Sequence, residues 1–431
     1  MTDFKPDIEF NTIEEIKHFQ EEKLQEQVRY ISEQSPYYKR IFQEEKIDVS
    51  QIKTLEDLKK LPITDKHNLA ENGDEFLCVS KNEIVDYITT SGTLGDPVVF
   101  CMTDSDLERL AYNEAISLTC SDCSSDDIIQ LTTTIDKRFM AGIAYFLGAR
   151  KMGAGIVRVG AGIPELQWDT IRRIQPTTLI AVPSFILKLI EYAEANNIDF
   201  ASTSIKRAIC IGEPLRKADF SLSTLAEKIK AKWDIKLYST YASTEMATAF
   251  ADCGQGNGGH HHPELIIAEF LDDEGNEVAP GEPGELVITP LGVEGMPLLR
   301  FRTGDIVCHY TEPCACGRNT MRLGPVLGRK QQMIKFKGTT IYPPSIYDLL
   351  NDIDEVENYL VELSTNDIGT DDVLVKVGCK NPDALLEKKI KDHFRAKLRV
   401  TPSVEFDTVK SIDKQLMPEG ARKPIYLVDK R

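Results

Sequence analysis

From Thr177 the chain alternates apolar runs with helix-length segments: TTLIAV, PSFILKLIEYAEANN, KRAICI, an amphipathic stretch to Trp233, and then IKLYST. Strands separated this way are joined by crossovers rather than tight turns, which predicts βαβ units and a parallel sheet. Ligands of such sheets bind beyond the carboxyl ends of the strands. Those ends carry Val182-Pro183-Ser184, Ile211-Gly212-Glu213-Pro214 and Tyr241-Ala242-Ser243-Thr244-Glu245, so three segments are expected to converge on one crevice.

On either side the texture differs. Ile13, Ile16, Leu24, Val28 and Ile31 suit one face of a helix that Ser35-Pro36 stops. After Ala251 comes a Gly/His-rich stretch and then turn-rich β text. From Met333 onward the chain has its own strands (VENYLVEL, DVLVKVGC, SVEFDTV) and a long amphipathic helix, ALLEKKIKDHFRAKL. The expected fold class is therefore α/β: a large multi-part N-terminal domain with parallel βαβ sheets and a β-rich subdomain, then a small α+β C-terminal domain. The polar segment Gly328-Arg329-Lys330-Gln331-Gln332 sets the expected boundary, giving domains 1–328 and 329–431.

Charge narrows the partners. With 51 Lys+Arg against 68 Asp+Glu, the net charge of −17 offers no broad basic footprint for nucleic acid or an anionic membrane, although a local cationic pocket for a phosphorylated small molecule remains compatible with it. The N-terminus lacks the pattern of a secretory signal and no stretch approaches a membrane span, so a cytoplasmic protein is expected. Most of the ten cysteines stand singly, as small buried hydrophobes do in a reducing compartment. Only Cys120/Cys123 and Cys314/Cys316 are close enough in sequence to suggest chelation, and the first pair reads as helix and turn.

Three fragments carry chemistry. Thr89-Thr90-Ser91-Gly92-Thr93-Leu94-Gly95-Asp96-Pro97 follows one likely strand and precedes another; its glycines and hydroxyls could wrap a phosphate chain, and an ordinary hairpin turn is the competing reading. In Tyr241-Ala242-Ser243-Thr244-Glu245, Glu245 could be the single protein ligand of a Mg²⁺ ion, or the fragment could simply cap a helix. In Arg300-Phe301-Arg302-Thr303-Gly304-Asp305, Asp305 has two oxygens to accept both hydroxyls of a ribose, against the alternative of a solvated turn. A fourth constellation joins Cys253, the run His260-His261-His262, and Cys314-Ala315-Cys316: three sulfurs and one imidazole would close a tetrahedral zinc site, against the alternative that the Cys-X-Cys and His-rich loops are each incidental.

Taken in order, TTSGTLGDP, IGEP, YASTEM, RFRTGD, CACGR, GRKQQMIKFKG and the tail EGARKPIYLVDKR resemble the adenylate-forming superfamily, and within it the phenylacetate-CoA ligase branch, over nearly the whole chain. The resemblance implies an ATP-dependent ligase that activates an aryl or arylalkyl carboxylic acid as acyl-AMP and passes the acyl group to coenzyme A, with the C-terminal domain as a mobile lid. It implies that Ser91, Gly92, Thr93 and Gly95 hold ATP phosphates, that Gly212, Glu213, Pro214 and Tyr241 lie against the adenine with Ser243 nearby, and that Thr244 meets the α-phosphate. Glu245 would bind Mg²⁺, Asp305 and Arg329 would take the ribose, and Lys423 would reach the carboxylate and α-phosphate. It also implies a structural Zn²⁺ on Cys253, His261, Cys314 and Cys316, with His260 and His262 as substitutes for His261, and it offers a homodimer.

The sequence departs from the family at Asp96, where lysine is usual, at Gln331 and Gln332, where the hinge carries aspartates, and at Gly420-Ala421-Arg422-Lys423, which makes Arg422 an alternative cation. These departures keep two alternatives open: an adenylating enzyme with a carrier-protein or amine acceptor, and a nucleotide-binding pseudoenzyme.

Overall fold

The computed structural model describes residues 4–90, 98–336, 339–366, 371–418 and 424–431. The chain forms two compact units. The first runs to Ser221 and takes in Ile229–Thr303 and Val307–Pro325; the second holds Leu222–Lys228, Gly304–Ile306 and the chain from Val326 onward. No helix among the described residues is long and apolar enough to cross a membrane.

The first unit opens on the helix Ile13–Gln34, which starts where Thr12 and Glu15 form a reciprocal capping box and buries Ile16, Leu24, Val28 and Ile31. Ser35 ends it and caps the next helix, Pro36–Glu44, with Pro36 in the first turn where no backbone donor is needed. Strands β1 (Asp86–Thr89) and β2 (Val99–Met102) then pair antiparallel, Thr89 opposite Val99. Thr90 and Val98 are joined by two hydrogen bonds of 3.0 Å.

The main sheet has nine strands: β3 (Ile128–Leu131), β4 (Gly155–Arg158), β5 (Thr178–Ala181), β6 (Arg207–Cys210), β7 (Lys236–Ser243), β8 (Thr248–Asp252), β9 (Gly259–His260), and, beyond the β10 to β12 strands described below, β13 (His309–Tyr310) and β14 (Arg322–Leu323). Their order is β13-β14-β9-β8-β7-β6-β5-β3-β4, and β7, β6, β5, β3 and β4 run parallel. The helices Met140–Met152, Pro164–Ile174 and Pro183–Ala195 make the crossovers, as the alternating text demands. Beyond β7 the ladder turns antiparallel through β8, β9, β14 and β13.

A further antiparallel pair, β10 (Ile266–Leu271) and β11 (Gly284–Pro290), is followed by β12 (Phe301–Val307). Buried Arg300, just before β12, holds Glu269 of β10 through its guanidinium fork. A charge pair this deep is tolerated because both partners are hydrogen-bonded.

In the second unit β15 (Gly328–Arg329) pairs with Asp305 and Ile306, and β16 (Ile334–Phe336) pairs with β17 (Thr339–Ile341). Strands β18 (Asn358–Thr365), β19 (Asp371–Gly378), β20 (Ser403–Asp407) and β21 (Leu427–Asp429) form a sheet of order β20-β19-β18-β21. The helices Pro343–Asn351 and Ala384–Leu398 supply Ile346, Leu350, Ile390 and Phe394 to its core. Both units thus match the α/β plus small α+β architecture expected from the sequence.

The chain's two tryptophans, Trp168 and Trp233, lie together in the first unit with ring centroids 5.6 Å apart, and the Trp168 indole donates to the Leu189 carbonyl at 2.9 Å. Tryptophan emission therefore reports the first unit. Trp233→Ala is expected to destabilise it by about 3–5 kcal/mol, the usual cost of emptying a buried aromatic site, read as a shift of the urea transition followed through Trp168; a shift below about 1 kcal/mol would show that the cluster does not hold the unit together.

Candidate active site

Parallel pairing brings three strand ends together. Ala181 is in register with Cys210, and Cys210 with Ser239, so the segments that follow β5 and β6 and the last half of β7 leave the sheet side by side. The first two are joined directly: Glu213 accepts hydrogen bonds from the Ser184 backbone N–H at 2.9 Å and the Ser184 hydroxyl at 2.7 Å. Gly212 has φ of +75°, a left-handed conformation that other residues rarely adopt, and a Cβ there would meet open space. Pro214 follows, exposed.

Strand β7 pairs parallel to β6 over Lys236–Ser239 and antiparallel to β8 over Thr240–Ser243. A four-residue turn, residues 244–247, then connects it to β8, with the Ala247 N–H bonded to the Thr244 carbonyl at 3.3 Å. Met246 is fully buried and anchors the turn, while Thr244 and Glu245 stay half-buried at its apex. The motif is a hairpin turn, not a helix cap. Tyr241 lies 6.1 Å from Phe250, ring to ring. Among the described residues the Glu245 carboxylate has no hydrogen-bond or ion-pair partner, so its oxygens are available to a hard cation such as Mg²⁺.

Strand β3 feeds the same edge. Its continuation through Lys137 and Arg138, both at φ of +58°, leads to the helix Met140–Met152, and the Arg138 carbonyl accepts from Thr89 N–H at 3.1 Å. Ser91, Gly92, Thr93 and Gly95 lie outside the described residues, as does Lys423. Asp305 and Arg329 belong to the second unit, where the Arg329 guanidinium donates to the Asp305 carboxylate at 3.1 Å across the β12–β15 pair.

A second constellation lies on the antiparallel side of the main sheet. The ligand atoms of Cys253, His260, Cys314 and Cys316 all fall within 4.8 Å of one another. Cys253 and Cys314 sulfurs are 3.6 Å apart, and Cys316 Sγ lies 3.4 Å from His260 Nε2. A tetrahedral zinc with bonds of about 2.3 Å to sulfur and 2.0 Å to nitrogen sets edges of about 3.8 and 3.5 Å, so the four donors fit the ion. His260 Nδ1 sits 2.9 Å from the Thr320 hydroxyl, the kind of outer contact that fixes a ligating ring. Burial alone would raise the Cys316 thiol, but the His260 imidazole and Arg318 outweigh it and hold the thiol at about 5.

The histidine in this group is His260, where the sequence resemblance implied His261. Successive residues along an extended strand face opposite ways, and His261 turns from the sulfurs to place Nε2 2.6 Å from the Ile266 carbonyl, its ring 6.0 Å from that of Phe250. That contact requires Nε2 to carry the proton, and burial lowers the His261 pKa to about 4. His262 is engaged elsewhere, with Nδ1 2.5 Å from Glu9 and Nε2 3.1 Å from the Ser117 hydroxyl. Glu9 also accepts from Arg318, whose guanidinium approaches Cys316 Sγ at 3.7 Å. Glu9 and Arg318 are buried partners that sequence reading missed, as was the pairing of His262 with Glu9, since nothing in the text links residues so far apart. His260→Ala is expected to lower both the zinc content of the purified protein, measured by elemental analysis, and its thermal midpoint. His261→Ala should leave zinc content unchanged; loss of zinc from that variant alone would reverse the assignment.

The family model described as AMP-binding enzyme matches residues 12–293. The phenylacetate-coenzyme A ligase of Thermus thermophilus is 28% identical over 384 residues, which span 88% of this chain and 85% of that protein. The phenylacetate-coenzyme A ligase of Aromatoleum evansii is 29% identical over 393 residues, 89% of this chain and 85% of its own. Among solved structures, a 2-hydroxyisobutyryl-CoA ligase in the postadenylation state superposes with a TM-score of 0.86 at 23% identity, covering 99% of this chain and 92% of that one, and shares its fold. With glycine and proline at one strand end, a hydroxyl and an unpaired carboxylate on the turn of the next, and the family model spanning most of the chain, this protein belongs to the AMP-binding enzyme family, as an adenylate-forming enzyme of the acyl-CoA synthetase type.

Proposed function

We propose that the protein is an ATP-dependent, AMP-forming ligase of the phenylacetate-CoA ligase branch, which activates an aryl or arylalkyl carboxylic acid and transfers the acyl group to coenzyme A. The observation that carries this reading is the side-by-side arrangement of Gly212-Glu213-Pro214 with Tyr241 and Thr244-Glu245 on adjacent strand ends. The relatives named phenylacetate-coenzyme A ligase, which align with most of the chain, support the choice of acid and thiol.

A carboxylate is a poor electrophile because its oxygen is a poor leaving group. Attack of that oxygen on the α-phosphorus of ATP forms an acyl adenylate and expels pyrophosphate. Attack of the coenzyme A thiolate on the acyl carbon then expels AMP. The open space over Gly212 suits a planar base, with Tyr241 beside it, and Ser243 lies next to the nucleotide. The Thr244 hydroxyl donates to the α-phosphate, and Ser91, Gly92, Thr93 and Gly95 wrap the phosphates that leave. Asp305, oriented by Arg329, accepts the ribose hydroxyls. Glu245 would hold Mg²⁺, which when bound would supply charge neutralisation where two anions meet. Lys423 places its ammonium between the carboxylate and the α-phosphate, stabilising charge that is greatest in the transition state. In this reading the chain from residue 329 serves as the lid, and zinc on Cys253, His260, Cys314 and Cys316 is structural, since four protein ligands leave no open position.

The test is pyrophosphate release from Mg²⁺·ATP across aryl, arylalkyl and short aliphatic acids, with and without coenzyme A. Release confined to aryl or arylalkyl acids, with thioester appearing only when coenzyme A is present, is the expected outcome; release confined to aliphatic acids would refute the substrate class, and silence across the panel would refute the ligase. Lys423→Ala should abolish adenylate formation while sparing thioester formation from a preformed acyl adenylate, and equal loss of both half-reactions would remove Lys423 from its role.

A further inference from the structure

Behind the turn that carries Thr244 and Glu245 lies a half-buried cation that the sequence motifs do not include. Arg109 comes from the helix Asp104–Cys120, and its guanidinium meets four acceptors, none of them charged. Nη1 donates to the Ala247 carbonyl at 2.6 Å, Nη2 to the Leu265 carbonyl at 2.6 Å and the Thr248 hydroxyl at 3.3 Å, and Nε to the Leu291 carbonyl at 2.6 Å. Among the described residues no carboxylate lies within ion-pairing distance of it. Burial pulls its pKa down to about 10, which leaves it charged at neutral pH.

The Asp106 and Glu264 carboxylates act on this cation only from beyond ion-pairing distance, and its direct partners are neutral. A buried charge without a paired charge must be repaid by hydrogen bonds, and carbonyls are weaker partners than carboxylates. What the fork secures is the base of the turn. Ala247 sits at φ of +44°, in the left-handed region that non-glycine residues rarely occupy, and Arg109 grips its carbonyl from below. The same cation ties Leu265, from the segment after the histidine run, and Leu291, just beyond β11, to that turn. Arg109, Ala247, Thr244 and Glu245 also line one small cavity.

We infer that Arg109 is a positioning residue for adenylate formation: by fixing the Ala247 carbonyl it sets the turn from which Thr244 meets the α-phosphate and Glu245 meets the metal of Mg²⁺·ATP. This inference rests on the proposed adenylation chemistry. Lysine is no substitute, because an ammonium cannot present a planar fork to three carbonyls in different segments.

The experiment compares the wild-type protein with Arg109→Gln and Arg109→Lys in three measurements: Mn²⁺·ATP affinity by electron paramagnetic resonance, KM and kcat for pyrophosphate release, and thioester formation from a preformed acyl adenylate. The expected result for Arg109→Gln is a loss of about tenfold or more in Mn²⁺·ATP affinity and in kcat/KM for adenylate formation, with the second half-reaction within about twofold of wild type. Arg109→Lys should fall between the two, and it decides the matter if Arg109→Gln does not fold. Equal losses in both half-reactions, tracking a lower folded fraction, would reduce Arg109 to a structural residue and overturn the inference; so would unchanged affinity for Mn²⁺·ATP in the folded variants. If the wild-type protein releases pyrophosphate with no acid, the proposed ligase fails on its own, and Arg109 is still judged by Mn²⁺·ATP affinity.

Discussion

One strand makes the first unit what it is. Over its first four residues β7 satisfies its backbone against a parallel neighbour, and over its last four against an antiparallel one. Parallel pairing forces the preceding strands to end on the same edge, which collects Ser184, Gly212 and Glu213 there; antiparallel pairing forces the chain to reverse, which creates the tight turn bearing Thr244 and Glu245. Because β8 runs back beside β7, its end delivers Cys253 to a position beside β9 and His260. The candidate nucleotide edge and the cysteine-histidine cluster are thus opposite ends of one hairpin.

Polar groups buried around this hairpin share a rule. Arg109, Arg300 and Arg318 are each wholly or partly taken out of water, and each is met by a different solution: neutral carbonyls, a carboxylate held by Nε and Nη2, and a carboxylate shared with a histidine. Removing the carboxylate from either of the last two would strand a charge, a far greater penalty than the net worth of the bonds. These three sites therefore fix the relative placement of segments that share no apolar repeat.

Much of the fold was legible because it rests on local pattern. The run from Thr177 to Thr240 shows its βαβ alternation in apolar spacing alone, Ser35-Pro36 marks a helix boundary by backbone chemistry, and the three strand-end segments can be picked out before their adjacency is known. The region around Cys253 and Cys314 was legible as a donor set but not as a geometry. Three consecutive histidines offer the same chemistry, and only the strand register of β9 decides that His260 faces the sulfurs while His261 turns to a backbone carbonyl. Glu9, Arg109 and Arg318 were not legible at all, and His262 was legible only as a spare metal ligand: each is defined by partners more than a hundred positions away, and an isolated charged residue in a helix or turn looks like solvated surface until the fold closes over it.

The Glu9–Arg318 bond joins residues 309 positions apart. A ribosome delivers the chain from its amino end, so Glu9 emerges long before the loop that neutralises it exists. Until His262 and then that loop arrive, the first turn has every reason to stay hydrated and undocked, because burying a lone carboxylate is unfavourable. Closure of the amino-terminal turn over the cysteine loop is therefore a late event in synthesis, and it marks the moment when the first unit has its last stretch of chain.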